Sequence, residues 1–196
     1  MTTPFARLLS LCICLFAAAA HGQPARYDID PEHFSAGFLV DHIGYHKVLG
    51  MFQKAGGTYT FDEKTAALSD VRIVLDSASV YTNHRQRDAH LKSTDFLNAV
   101  EFPQIVFKSA TAKRTGERTF VVDGQLEMLG KTQPVTLDVT WNKSAQYELP
   151  GVNAYVMGVS ARGSFKRSAF GMNYAVSNGW VGDNVDLILE FEARRK

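Results

Sequence analysis

The chain has 196 residues, with 21 lysines and arginines against 20 aspartates and glutamates, and a formal net charge of +1. That balance supplies no basic surface of the kind that phosphate-backbone binding needs, so a nucleic-acid partner is not expected. The length suits one domain with room for a sizeable core.

The N-terminus reads as an export signal. Arg7 is followed by an apolar run from Leu8 to Phe16 and then by the small residues Ala17 to Ala20. Positive charge, a short apolar core and small side chains are the order that the export machinery reads. Cleavage after Ala20 or Gly22 is expected, giving a signal peptide over 1–22 and a domain over 23–196. The apolar run falls short of the roughly 20 residues of a membrane-spanning helix. The only two cysteines, Cys12 and Cys14, lie inside the signal, and Leu11 and Ile13 before them are not the small residues that lipid attachment needs. No stable membrane anchor is therefore expected. The domain has neither disulfide nor thiolate chemistry, and its formal charge is near zero once Arg7 is gone. A periplasmic address fits these features.

Beyond the signal, period-2 alternation dominates, which is a strand signal. Phe34, Ala36, Phe38, Val40 and His42 fall on one face of the first run. Val71, Ile73 and Leu75 repeat the pattern, as do Ile105 and Phe107. Then come Phe120, Val122, Gly124, Leu126 and Met128, followed by Val135, Leu137, Val139 and Trp141. The last run offers Val185, Leu187, Leu189 and Phe191. Turns are expected at Gly56-Gly57, Asp62-Glu63-Lys64, Thr115-Gly116-Glu117, Gly130-Lys131, Pro150-Gly151 and Gly182-Asp183-Asn184, with a further short turn over 43–47. One segment reads as a helix, capped by Asn83 and running from His84 to Asn98.

Short connections between alternating strands imply antiparallel neighbours. So many strands must manage their edges, and closing the sheet removes them. An all-β antiparallel barrel of about eight strands with one inserted α-helix is the expected fold. A barrel of that size is filled by side chains or holds one small ligand. Periodicity alone leaves a packed β-sandwich as a competitor.

The residues then resemble a known family. Tyr27-Asp28-Ile29-Asp30 with His33-Phe34 is followed by Phe38-Leu39-Val40-Asp41-His42-Ile43-Gly44 and Val48-Leu49-Gly50-Met51-Phe52. Thr82-Asn83, Arg87 to Ser93, Asp95-Phe96 and Pro103 to Ser109 come next. Gly124-Gln125-Leu126, Gly130-Lys131-Thr132, Phe170-Gly171-Met172 and Val181 to Val185 complete the set. In this order, from Tyr27 to the end, they resemble the YceI-like family of bacterial periplasmic proteins. The resemblance implies a lipocalin-like barrel of extended shape, with a long apolar pocket for a polyisoprenoid chain or another amphiphile, and no catalysis. Phe34 and Leu97 depart from the pattern, where a smaller residue and a second aromatic are expected, and both could reshape a pocket wall.

The wall residues expected from strand phase and this resemblance are Phe38, Val40, His42, Phe52, Ile73, Leu75, Leu91, Phe96, Ile105, Phe107, Leu126 and Leu137. Each could equally be ordinary core. Arg85, Arg87, His90 and Lys92 are the candidates for a polar head group, near a helix start that favours anions. The competing reading pairs Arg87 and Lys92 with Asp88 and Asp95 on a solvated face. His42 and His46 lie four apart, a spacing that gathers metal ligands only on a helix, and Gly44 breaks the local pattern. No metal is expected, and a hydrogen-bonded core histidine is the ordinary explanation for His42. Enzyme signatures such as G-x-S-x-G or H-E-x-x-H are absent, and Asp41 and Asp76 fall on the presumed outer face.

The expected function is a periplasmic binding and transport protein, not an enzyme, with no cofactor beyond a bound isoprenoid such as a quinone or polyprenyl phosphate. A homodimer is compatible with these features. The alternatives are an enzyme or redox accessory using His42 or His90 on a bound quinone-like amphiphile, and a packed structural or interaction barrel.

Overall fold

The computed structural model describes residues 23–196, so the expected signal peptide over 1–22 lies outside the described residues. The strands are β1 (Ala25–His42), β2 (His46–Phe52), β3 (Ala55–Asp62), β4 (Ala67–Asp76), β5 (Val80–Tyr81), β6 (Gln104–Ser109), β7 (Lys113–Arg114), β8 (Thr119–Met128), β9 (Lys131–Gln146), β10 (Tyr155–Lys166) and β11 (Val181–Arg195). Helix α1 (Arg85–Leu91) is inserted between β5 and β6, and 3₁₀ turns occupy Ser77–Ser79 and Arg167–Phe170.

The barrel closes in the order β1, β3, β4, β6, β8, β9, β10, β11 and back to β1, eight strands with antiparallel neighbours throughout. Closure leaves no free edge around this ring. The long strand β1 serves two neighbours in turn. Its lower part pairs with β3 from Ala25 to Asp28, and its upper part pairs with β2 from Ala36 to His42. The register breaks between Ile29 and Phe34, a stretch that contains Pro31. Proline has no N–H for the ladder, so a bulge is where it can sit inside a strand.

The two ends of the barrel differ. The lower end is lined with aromatic side chains. Tyr27 stacks on Tyr59 with ring centroids 5.1 Å apart, and Phe61 meets Phe120 and Trp141 edge to face. Glu63 closes this end by accepting hydrogen bonds from Tyr27 (2.6 Å), Ser144 (2.6 Å) and Tyr155 (3.0 Å). The upper end is an open mouth, bounded by the β1–β2 turn, α1 and the segment between β10 and β11.

Several local expectations are corrected. Gly56-Gly57 is not a turn but lies inside β3. A Cβ on Gly57 would sit 2.4 Å from the Arg72 carbonyl oxygen, so the glycine permits close backbone approach. Gly182-Asp183-Asn184 lies inside β11. Its Asp183 carboxylate accepts from the Ser168 N–H (2.9 Å) and hydroxyl (3.0 Å), tying β11 to the 3₁₀ turn instead of capping a loop. The helix is half the expected length. His84 caps it in place of Asn83, its ring accepting from the Arg87 N–H, and Asn83 takes a left-handed φ of 59°. The β8–β9 hairpin turns on Leu129 and Gly130, with φ of 53° and 68°. Two positive φ values match the twist of adjacent strands, and Leu129 offsets its backbone strain by packing on the core.

Burial alone would raise the pKa of Asp183, yet the Ser168 hydrogen bonds, with Lys166 and Arg167 nearby, hold it below the ordinary carboxylate value. A depressed pKa contributes stability above the unfolded value of about 3.9 and loses it as pH falls through the folded one. Glu190, bonded to Ser160 and Arg162, is shifted the same way. The urea midpoint is therefore expected to stay level from pH 7 to about 5 and to drop below about pH 4. Asp183→Asn should flatten part of that acid limb in a series of urea melts. An unchanged limb would remove Asp183 from the account.

Candidate ligand-binding cavity

The upper half of the barrel is hollow. A cavity of about 390 Å³ runs inward from the mouth, within the size range of pockets that take small amphiphilic molecules. Strand periodicity builds its wall, because inward residues recur at every second position. Phe38 and Val40 come from β1, Phe52 from β2, Ile73 and Leu75 from β4, Ile105 and Phe107 from β6, Leu126 from β8 and Leu137 from β9. Leu91, Phe96 and His42 join them at the mouth, so the structure brings every expected wall residue together.

Two glycines keep the wall thin. Phe38 and Gly50 are cross-strand partners, and a Cβ on Gly50 would fall 2.2 Å from the Phe38 ring. Gly124 relates to Phe107 in the same way, again at 2.2 Å. Each ring occupies the space above a glycine on the inner face, so it lies along the wall and leaves the lumen open.

The mouth carries the polar groups. Arg87 and His90 line the cavity, whereas Arg85 and Lys92 do not. Arg87 donates to the Thr82 hydroxyl and carbonyl oxygens, both at 2.7 Å. The Thr82 N–H in turn donates to Asp88 at 2.7 Å, so Arg87 reaches Asp88 through the buried Thr82. His90 Nε2 lies 2.8 Å from Asp95 Oδ2, and the His90 ring meets Phe96 and Tyr174 edge to face, each at 4.9 Å. Asp95, expected as a partner for Lys92, is thus taken by His90. His42 is exposed at the rim rather than buried as a core histidine, with its ring 5.4 Å from that of His46. Asp41 is also at the rim, accepting from the Gly44 N–H at 2.9 Å. Among the described residues, no group of three or more His, Cys, Asp or Glu side chains could hold a metal ion.

Sequence reasoning missed the third side of the mouth, residues 167–181. Arg167 is 2% exposed and lines the cavity. Its Nε donates to the carbonyl of Gly182, Nη1 to that of Met172, and Nη2 to those of Tyr174 and Val181, at 2.8–2.9 Å. Burial pulls its pKa down, and the Asp183 charge partly offsets this. The segment also meets the β1–β2 turn, where the Ile43 N–H donates to the Trp180 carbonyl at 3.2 Å. The neighbouring Phe170-Gly171-Met172 was the available signal. Leu97, the departure noted above, is buried and lines the cavity, while Phe34 packs on Phe191 at 5.4 Å.

Chemically, this is an apolar tube with polar groups confined to its rim. Residues 27–193 match the model of the YceI-like domain. Over 180 residues the chain is 36% identical to Protein YceI of Escherichia coli O157:H7, covering 91% of each. BcnA of Burkholderia cenocepacia has a similar structure, with a TM-score of 0.73 at 21% identity over 84% of this chain and 98% of that one. A polyisoprenoid binding domain from Saccharophagus degradans, implicated in plant cell wall breakdown, gives a TM-score of 0.64 at 11% identity over 89% and 100%. These two structures speak for the fold, whereas the domain match and the identity to the Escherichia coli protein reach further: the chain belongs to the YceI-like family.

Proposed function

We propose that the protein binds and carries an isoprenoid lipid, such as a quinone or a polyprenyl phosphate, or a similar long amphiphile, in the periplasm. The observation that carries this reading is the hollow, apolar upper half of the barrel, open at one end. Each CH₂ moved from water into such a lumen gains about 0.8 kcal/mol, so a chain of several isoprene units needs few polar contacts. The similarity in fold to a polyisoprenoid binding domain supports the same class of ligand. An export signal over 1–22 puts the protein in water beside a membrane, where an apolar lipid needs a container. The void counts against a packed structural barrel, and the rim offers placement of a head group rather than chemistry.

Solvent extraction of protein purified from the periplasm, followed by mass spectrometry, should release a long amphiphile. Val40→Trp supplies the control. In a packed core the larger ring would destabilise by about 1–3 kcal/mol. In this lumen it should leave the melting temperature nearly unchanged and expel the extractable lipid. A protein that yields no lipid and also fails to bind a fluorescent polyprenyl probe would end the carrier reading.

A further inference from the structure

Four large apolar side chains stand exposed where the lumen opens. Ile43 and Tyr45 belong to the β1–β2 turn, and Tyr174 and Trp180 to the segment between β10 and β11. Tyr45 is 87% exposed and Trp180 57%, with Ile43 and Tyr174 each close to half. Ile43, Tyr174 and Trp180 also line the cavity, so one apolar surface continues from the lumen onto the rim.

Charge is missing from both tips. Residues 43–45 and 168–182 include no Asp, Glu, Lys, Arg or His, in a chain in which 21% of residues are charged. The backbone there is bonded within the protein. The Ile43 N–H donates to the Trp180 carbonyl at 3.2 Å and joins the two tips. The Gly44 N–H reaches the Asp41 carboxylate, and the Tyr45 N–H the His42 carbonyl. On the other tip the N–H groups of Val176, Gly179 and Val181 donate to the carbonyls of Asn173, Val176 and Ala175. The Trp180 N–H is held by the Asn178 side-chain oxygen at 3.0 Å. Groups bonded in this way lose little when water is withdrawn, whereas unbonded ones would resist leaving it.

An exposed apolar patch marks a surface with a partner. Two features select a bilayer over a protein. The patch borders the opening through which a lipid tail has to pass, and its tips offer no charge to the polar rim that surrounds a protein interface. Its rings are also those that favour the boundary between water and hydrocarbon, with an apolar body and a polar tip.

We propose that the mouth docks on the surface of a lipid bilayer, with Ile43, Tyr45, Tyr174 and Trp180 entering the interfacial layer, so that an amphiphile moves between bilayer and lumen without crossing water. This rests on the carrier reading and deepens it, because it assigns the surface where cargo is exchanged. Every CH₂ of a tail that enters water adds to the barrier for desorption. A carrier in contact with the bilayer therefore loads faster than one that waits for free lipid.

The test uses protein purified from the periplasm, large vesicles of phosphatidylcholine and a fluorescent polyprenyl probe. The protein should float with the vesicles in a density gradient. Trp180 emission should shift to the blue, and lipids brominated on their acyl chains should quench it. Trp141, the chain's other tryptophan, lies at the lower end, so Trp180→Phe should abolish both signals. Tyr45 stands outside the cavity wall. Tyr45→Ser should therefore keep the probe affinity measured without vesicles, while vesicle binding and probe uptake from vesicles each fall about threefold to tenfold. Leu149→Ser, at an exposed apolar residue in the β9–β10 loop at the far end, should alter neither. The uptake rate should rise in proportion to vesicle concentration. A wild-type protein that binds the probe but does not float, with unmoved emission and an uptake rate independent of vesicle concentration, would overturn the docking and leave the carrier reading standing. A dimer in solution that Tyr45→Ser dissociates would also overturn it, by giving the rim to a second copy of the chain. A protein that floats but takes up no probe would overturn the carrier reading, and with it the exchange at the rim.

Discussion

Arg167→Met is expected to lower the unfolding free energy by about 3–5 kcal/mol, because it leaves buried carbonyl oxygens without donors. The guanidinium is sealed in the mouth wall and reaches the carbonyls of Met172, Tyr174, Val181 and Gly182. No carboxylate is bonded to it, and Asp183 acts on it only through space. Each orphaned carbonyl costs about 1–3 kcal/mol in desolvation, and neighbouring losses do not add in full. Methionine keeps much of the packing volume, so the loss reports the donors. For a domain of this size the melting temperature should fall by roughly 6–20 °C. Arg167→Lys separates charge from shape: an ammonium keeps the charge but cannot span carbonyls fanned around a planar fork. It should therefore recover only a minor part of the lost stability. Full recovery would mean that charge alone holds the segment.

The same arginine shows where sequence legibility ended. Strand phase located Phe38, Val40, Ile73, Leu75, Ile105, Phe107, Leu126 and Leu137 on the inner face, because alternation with period 2 is a local property of the chain. Arg167 bonds to backbone carbonyls, which any residue supplies, so its partners leave no trace in side-chain identity. Similar reasoning explains the helix. Charged residues around Leu91 and Phe96 suggested a run to Asn98. Instead, the Leu97 N–H bonds to the Leu91 carbonyl and the Asn98 N–H to that of Ser93, a curl that seats Phe96 and Leu97 in the wall. Tertiary burial overrode helical propensity there. The glycines misled for a related reason. Gly57 and Gly182 look like turns in isolation, but a Cβ on Gly57 would clash with the Arg72 carbonyl and one on Gly182 with Asp41. Periodicity likewise could not tell a filled barrel from a hollow one. That depends on which side chain lies across from each glycine, a relation set by strand register.

Gly124→Ala is the direct test of how the lumen stays open. Its new methyl would overlap the Phe107 ring, with the ring's Cζ at 2.2 Å and Cε2 at 2.5 Å, and would stand 2.7 Å from the Lys108 carbonyl oxygen. The backbone oxygen is held in the sheet, so the ring must swing off the wall. The space open to it is the lumen, whose wall Phe107 shares with Ile73, Leu137 and Leu189. Overpacking of this kind costs about 1–3 kcal/mol. If the displaced ring meets the ligand with a similar penalty, a fluorescent polyprenyl probe should bind about tenfold to a hundredfold more weakly. Phe107→Leu placed on top of Gly124→Ala removes the ring and should restore most of the affinity, although Phe107→Leu alone adds little. This dependence on background is the signature of direct contact, and independent sites would give additive effects. If Gly124→Ala binds the probe as the wild type does, the ring has an exit other than the lumen. The glycine would then have no part in keeping the barrel hollow.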